Sequence, residues 1–194
     1  MTGERSLVAN FAVSQDESVE IVLSPGWNWI SYLPTTEMTV EAAFANLSPN
    51  DGDMVKSQSA FCTYNASTGQ WSGRLNTFTP GRGLIYLRNG EMTSFSYPSS
   101  RNNVATPDPE RGDVVIALTP GWNWISYLPT TEMTVESAFA NLSPNDGDMV
   151  KTQDAFCTYN ASTGQWSGGL NTFSPGRGLI YLRNGGTTTF TYPK

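Results

Sequence analysis

The chain has 194 residues, a net charge of −6 from 11 basic and 17 acidic side chains, and no histidine. Without histidine, Ser-His or Cys-His nucleophile activation and imidazole metal ligation are excluded. The lack of any basic run argues against nucleic acid or an anionic membrane surface as partner. No stretch is apolar enough for long enough to insert in a bilayer, and no cofactor motif stands out.

The dominant feature is duplication. Residues 24 to 98 and 119 to 193 carry the same text at a constant offset of 95, with ten differences. Whatever fold one copy takes, the other is expected to take too. The chain therefore divides into an opening segment at 1–17, a repeat at 18–98, a linker at 99–112 and a second repeat at 113–194. The abrupt start MTGERSLVANF reads as a cut into a longer parent chain, whose other domains are then partners. Units of this size hold barely enough core, and aromatics make up the deficit, each burying about 150–250 Å².

In chain order, Val19 to Leu23 is short and β-prone, and Ser24-Pro25-Gly26 is a turn signal. Trp27 to Tyr32 carries large groups on both faces, as a central strand would, and Pro34 stops it. Thr39 can cap a helix whose apolar positions Val40, Ala43, Phe44 and Leu47 form one stripe, with Glu41 and Asn46 outside it, and Pro49 ends it. The turn Asn50-Asp51-Gly52-Asp53 leads to strands at Met54 and at AFCTYN. The polar loop Asn65 to Gln70 follows, and Trp71 opens the return. Pro80-Gly81-Arg82-Gly83 precedes the apolar strand LIYL, which Asn89-Gly90 is expected to join in a hairpin to the closing strand. There positions 92, 94 and 96 differ between copies while Phe95 and Tyr97 do not, the period of two of a strand with one solvent face and one buried face. The expected class is mainly β (α+β): two tandem copies of a small antiparallel β barrel or two-layer roll, about six strands and one short helix each.

The phrase TGERSLVANF resembles the last strand of a divergent internalin B-type repeat, a spacer module of large bacterial surface proteins. The repeat body, with GWNWISY near its start and PGRGLIYL near its end, is similar to the GWN(L/W)IS to PGKGY modules of secreted and surface proteins of gut Bacteroidota. Arg82 and Leu84 stand where many such modules have Lys and an aromatic. The resemblance implies an extracellular or cell-surface location and modular architecture; it transfers no activity and no ligand.

The remaining candidates for chemistry are few. Asp51 and Asp53 flank a glycine in a turn, and Glu37 and Glu41 lie near the helix start, so local structural roles account for all four. Asn50, Asp51 and Asp53 cluster oxygen atoms but lack the spacing of a calcium loop, and no metal is expected. Cys62 and Cys157, one per repeat, read as small buried hydrophobes. Lys56 and Lys151 lie in β segments beside the varied positions 57 and 59; if those face solvent, Lys56 points to the inner side, where surface adhesins sometimes crosslink a lysine to an asparagine, and a snorkelling side chain is the default. Trp71 is set apart by a polar loop and by Gly69 and Gly73. Its indole could stack on a sugar ring while Asn65, Gln70 and Arg74 supply hydrogen bonds, with Trp166, Gln165 and Asn160 as the second copy of that site. The alternative is that the indole closes the core. The function expected is a non-catalytic stalk, spacer or adhesion module with a glycan or extracellular protein as possible partner. A carbohydrate-binding module comes second, and an accessory or catalytic domain of a glycoside hydrolase trails far behind.

Overall fold

The computed structural model describes residues 19–98 and 114–193; the opening segment and the linker expected from the sequence lie outside these. Each repeat is built on an antiparallel sheet of five strands, β2 (Gly26–Ser31), β4 (Met54–Lys56), β5 (Phe61–Asn65), β6 (Gln70–Gly73) and β8 (Gly83–Arg88), in the order β2-β8-β4-β5-β6. Two ribbons complete the unit. One pairs β1 (Ile21–Leu23) with β9 (Thr93–Phe95), and the other pairs β3 (Met38–Thr39) with β7 (Thr77–Phe78). The second repeat runs from β10 (Ile116–Leu118) to β18 (Thr188–Phe190) with the same order and register. Both repeats are thus mainly β units with one short helix, and among the described residues no sheet closes into a barrel.

The helix is a single turn. Thr39 accepts a hydrogen bond from the Ala42 amide at 3.2 Å, and α1 spans only Val40–Ala43. The predicted stripe is nonetheless buried in full, because Phe44 and Leu47 continue inward from the turns that follow. Phe44 is the hub of the core. Its ring lies 5.2–5.6 Å from Trp71, Phe78, Tyr86 and Phe95 and stacks on Tyr97 at 6.4 Å. Pairs of this kind add about 0.5–1.5 kcal/mol each beyond area burial, which compensates for the small unit.

The alternation read at 92–97 is present: Phe95 and Tyr97 are buried, while Met92 and Ser94 are exposed. The hairpin expected at Asn89-Gly90 is absent. Strand β9 pairs with β1, not with β8, because the connecting corner is tied elsewhere: the Asn89 amide donates to Asp53 at 2.6 Å and the Arg88 side chain holds the Glu91 carbonyl at 2.9 Å. Strand β2 is also not central. It is the edge of its sheet, pairing there with β8, and an isolated antiparallel bridge joins its Ile30 to Arg177 of the other repeat. On its second face Trp29 meets the other repeat, while Trp27 stays exposed. Lys56 corrects a further expectation, since it does not point inward; Val55 does, and the Lys56 ammonium sits 5.5 Å from the centre of the Trp27 ring on the outer face.

Candidate functional site

The carboxylates come first, because they could carry chemistry. Asp53 is fully buried and accepts four hydrogen bonds: from the Asn50 amide (2.9 Å), the Tyr86 hydroxyl (2.7 Å), Arg88 Nη1 (2.8 Å) and the Asn89 amide (2.6 Å). Asp148 repeats the set with Asn145, Tyr181, Arg183 and Asn184. Arg88 also donates to the Ser48 carbonyl, so the network clamps three loops together. Both oxygens of the carboxylate accept from structural donors, three at Oδ2 and one at Oδ1. Asp51 caps the neighbouring loop by accepting from the Ala66 amide at 2.9 Å. Cys62 and Cys157 are buried in separate cores, and burial, helped by Glu41 and Glu136 respectively, pushes each thiol up to about 12. Such thiols are weak nucleophiles.

Trp71 stands in strand β6 with its indole tilted on Phe44 (5.4 Å) and Tyr64 (5.3 Å) and edge-on to Tyr86 (6.2 Å). It is half-buried, one side against the core. Asn65 shapes the adjoining loop, its side-chain oxygen accepting from the Ser67 amide at 2.9 Å, and Gln70 is exposed beside it. Trp166, Asn160 and Gln165 repeat this arrangement. Arg74 is exposed too, and it lines a different feature, the cleft between the repeats, of which Trp71 forms no part. Among the described residues, the aromatics most open to solvent are instead Trp27 (44%) and Phe61 (50%), with Trp122 and Phe156 in the second copy.

The two repeats are joined by contacts that occur in reciprocal pairs. The Ser31 amide donates to the Gly176 carbonyl (2.9 Å) and the Ser126 amide to that of Gly81 (3.0 Å). Each serine hydroxyl donates across, Ser31 to the Arg177 carbonyl (2.7 Å) and Ser126 to the Arg82 carbonyl (2.8 Å), and each accepts in return, from the Tyr127 amide (2.7 Å) and the Tyr32 amide (2.8 Å). Gln58 places its amide on the edge of the other repeat's GWNWIS strand, donating to the Trp122 carbonyl (2.6 Å) and accepting from the Trp124 amide (3.1 Å). Gln153 does the same to Trp27 and Trp29. Residue i meeting j while j meets i defines an isologous, two-fold contact. The tandem chain is a dimer of modules within one polypeptide, and the glutamines seal the edge that β2 would otherwise leave open. Trp29, Ile85, Trp124 and Ile180 meet at the centre. There glycine is obligatory: a Cβ on Gly83 would lie 2.6 Å from the Ile125 carbonyl oxygen, and one on Gly178 equally close to that of Ile30.

Beside this interface runs a cleft of about 680 Å³. Repeat 1 supplies the Ser57 to Ala60 turn, Arg74 to Thr79 and Arg82; repeat 2 supplies Thr119, Asn123 and Trp124. Its polar groups are mostly hydroxyls and amides, with two guanidinium groups. Sequence reasoning missed the interface and the cleft. The available signal was the large groups on both faces of Trp27 to Tyr32, which suit a central strand as well. Comparison with protein-family models, curated proteins and solved structures yields no match. The class defined by the fold is therefore that of tandem, near-identical β-rich modules, here paired about a pseudo-two-fold axis.

Proposed function

We propose that this chain is a non-catalytic module of a bacterial surface or secreted protein, acting as a spacer or adhesion unit, with its resemblance to repeats of gut Bacteroidota supplying the location. The observation that carries this reading is the reciprocal hydrogen bonding across the pseudo-dyad. It makes the pair one stiff block, suited to holding neighbouring domains at a set distance, and such stiffness has no use in a chain that only links. The Asp53 and Asp148 networks support the non-catalytic part, since these buried carboxylates are engaged by structural donors. The test is twofold. Residual dipolar couplings should report one common alignment for both repeats, and no turnover should be seen on polysaccharides or peptides. Independent alignment would refute the block, and hydrolysis would refute the absence of catalysis.

A second reading, carbohydrate binding, is favoured by a separate observation: an open cleft whose walls combine hydroxyls, amides and the Trp124 indole. Sugar recognition uses that mixture, an aromatic face for the ring and polar groups for its hydroxyls. The loop of Asn65, Gln70 and Trp71, with its copy at Asn160, Gln165 and Trp166, is the other place a sugar could lie. A glycan array probed with the intact chain, Trp124→Ala and Trp71→Ala with Trp166→Ala separates the two. Absence of binding throughout leaves the spacer reading alone.

A further inference from the structure

We propose that the cleft beside the interface is a single, anion-selective sugar site, taking a glycan that carries carboxylate or sulfate groups, and that its pseudo-symmetric twin has lost this capacity. The proposal rests on the carbohydrate-binding reading above and adds the charge of the ligand and the number of sites.

The argument starts from where the two repeats differ. The cleft is lined by Ser57, Ser59, Arg74, Thr79 and Thr119 among others, and each of these belongs to a position at which the copies diverge. Half of the ten differences thus fall along one groove, although positions 24, 57, 59, 74 and 79 are scattered in sequence. The interface residues beside them, Ser31, Gln58 and Gly83 with their partners, are identical in both copies. Duplication has kept the docking and varied the groove.

The variation changes charge. Among the described residues, the lining of the cleft includes Arg74 and Arg82, both exposed, and no carboxylate. Across the two-fold, the position of Arg74 is Gly169 and that of Ser59 is Asp154, while Arg177 replaces Arg82. Among the described residues the cleft carries two cations and no anion, whereas the equivalent positions across the two-fold carry one of each. A guanidinium presents a planar fork of donors that matches a carboxylate or sulfate bidentately, so two of them over a hydroxyl-rich wall select an acidic ligand. The remaining wall favours a sugar over a peptide. Ser59, Asn76, Thr79 and Trp124 offer side-chain hydrogen bonds and a ring face, whereas an extended peptide is held chiefly by a backbone ladder on a strand edge, and the edge of the GWNWIS strand is occupied by glutamine.

The test is a titration of the ¹⁵N-labelled full chain with a galacturonate oligosaccharide and a heparin-derived oligosaccharide, set against a neutral manno-oligosaccharide and an oligoglutamate peptide. The acidic sugars should shift signals of Arg74, Arg82 and Trp124, bind once per chain and weaken as salt is raised. Arg74→Gly writes the second repeat's own residue into the first, so it preserves the fold, and it should weaken binding roughly tenfold. Gly169 has open space where a side chain would begin, so Gly169→Arg with Asp154→Ser should create a second site. Equal binding by Arg74→Gly, or two equivalent sites in the unaltered chain, would overturn the proposal. Neutral sugar bound as well as acidic sugar, indifferent to Arg74, would overturn the charge selection while keeping the carbohydrate reading. Oligoglutamate bound as tightly as the sugars would overturn the ligand class, and no sugar bound at all would sink both readings.

Discussion

Replacing Asp53 by alanine removes the one acceptor on which four donors converge. Tyr86 and two backbone amides lose their partner, and Arg88, only 7% exposed, keeps its charge with no counterion beside it. The Ser48 and Glu91 carbonyls still accept from Arg88, which moderates the loss without neutralising the charge. Removing one member of a buried ion pair costs about 3–5 kcal/mol, a large share of the roughly 5–15 kcal/mol that holds a domain together. Asn is no remedy. It offers one oxygen where the carboxylate had two, and turns an NH₂ group toward donors, so Asp53→Asn should lose nearly as much. Urea unfolding followed by tryptophan fluorescence should show the first repeat destabilised by at least about 3 kcal/mol in both variants. Asp148→Ala should do the same to the second repeat. A loss below about 1 kcal/mol, or a neutral Asp53→Asn, would refute the view that this network clamps the loops.

Gly83→Ala should disrupt docking of the repeats without unfolding either, because its Cβ meets backbone of Ile125 that no rotamer change can clear; a cost of about 1–3 kcal/mol is expected, and unchanged residual dipolar couplings would contradict it. Gln58→Ala with Gln153→Ala removes four hydrogen bonds across the interface and should weaken docking by about 1 kcal/mol per glutamine. Amide exchange at Trp29 and Trp124 should quicken, and unaltered exchange would count against the edge-sealing role. High pH should destabilise both repeats. Burial raises Cys62 and Cys157 from 9.0 to about 12, and burial with the Asp53 or Asp148 hydrogen bond raises Tyr86 and Tyr181 further. Groups whose values are raised in the folded state contribute stability that is complete below about pH 9 and is lost as pH climbs toward and past 12. Thiol alkylation at pH 8 should accordingly be slow until denaturant is added; rapid labelling of the native chain would contradict it.

Much of each module was legible in the sequence because its signals are local. The Thr39 cap, the stripe from Val40 to Leu47 and the alternation at Phe95 and Tyr97 depend on backbone periodicity and on side chains a few residues apart, and all are present. The turn at Ser24-Pro25-Gly26 is of the same kind, with Gly26 at a φ of 90° that other residues avoid. The duplication itself was visible as text. Arg74 and Trp71, three residues apart in the chain, were grouped by proximity in sequence, but they lie in different surroundings, one on the cleft and the other against Phe44.

The failures share a physical cause. Periodicity tells which face of a strand is apolar but not which neighbour covers it. The second face of Trp27 to Tyr32 is covered only at Trp29, and by the other repeat, while Trp27 stays exposed, so the strand is an edge and not a centre. Asn89-Gly90 has hairpin chemistry, but a buried carboxylate 36 residues earlier holds that corner and sends the chain to a different sheet. By itself the sequence determined two like β modules, their helix and most of their inward faces. Tertiary structure alone decided how those modules meet, because an isologous interface depends on serine and glutamine residues whose hydrogen-bond partners lie 44 to 146 positions away, and no local preference records a contact at that distance.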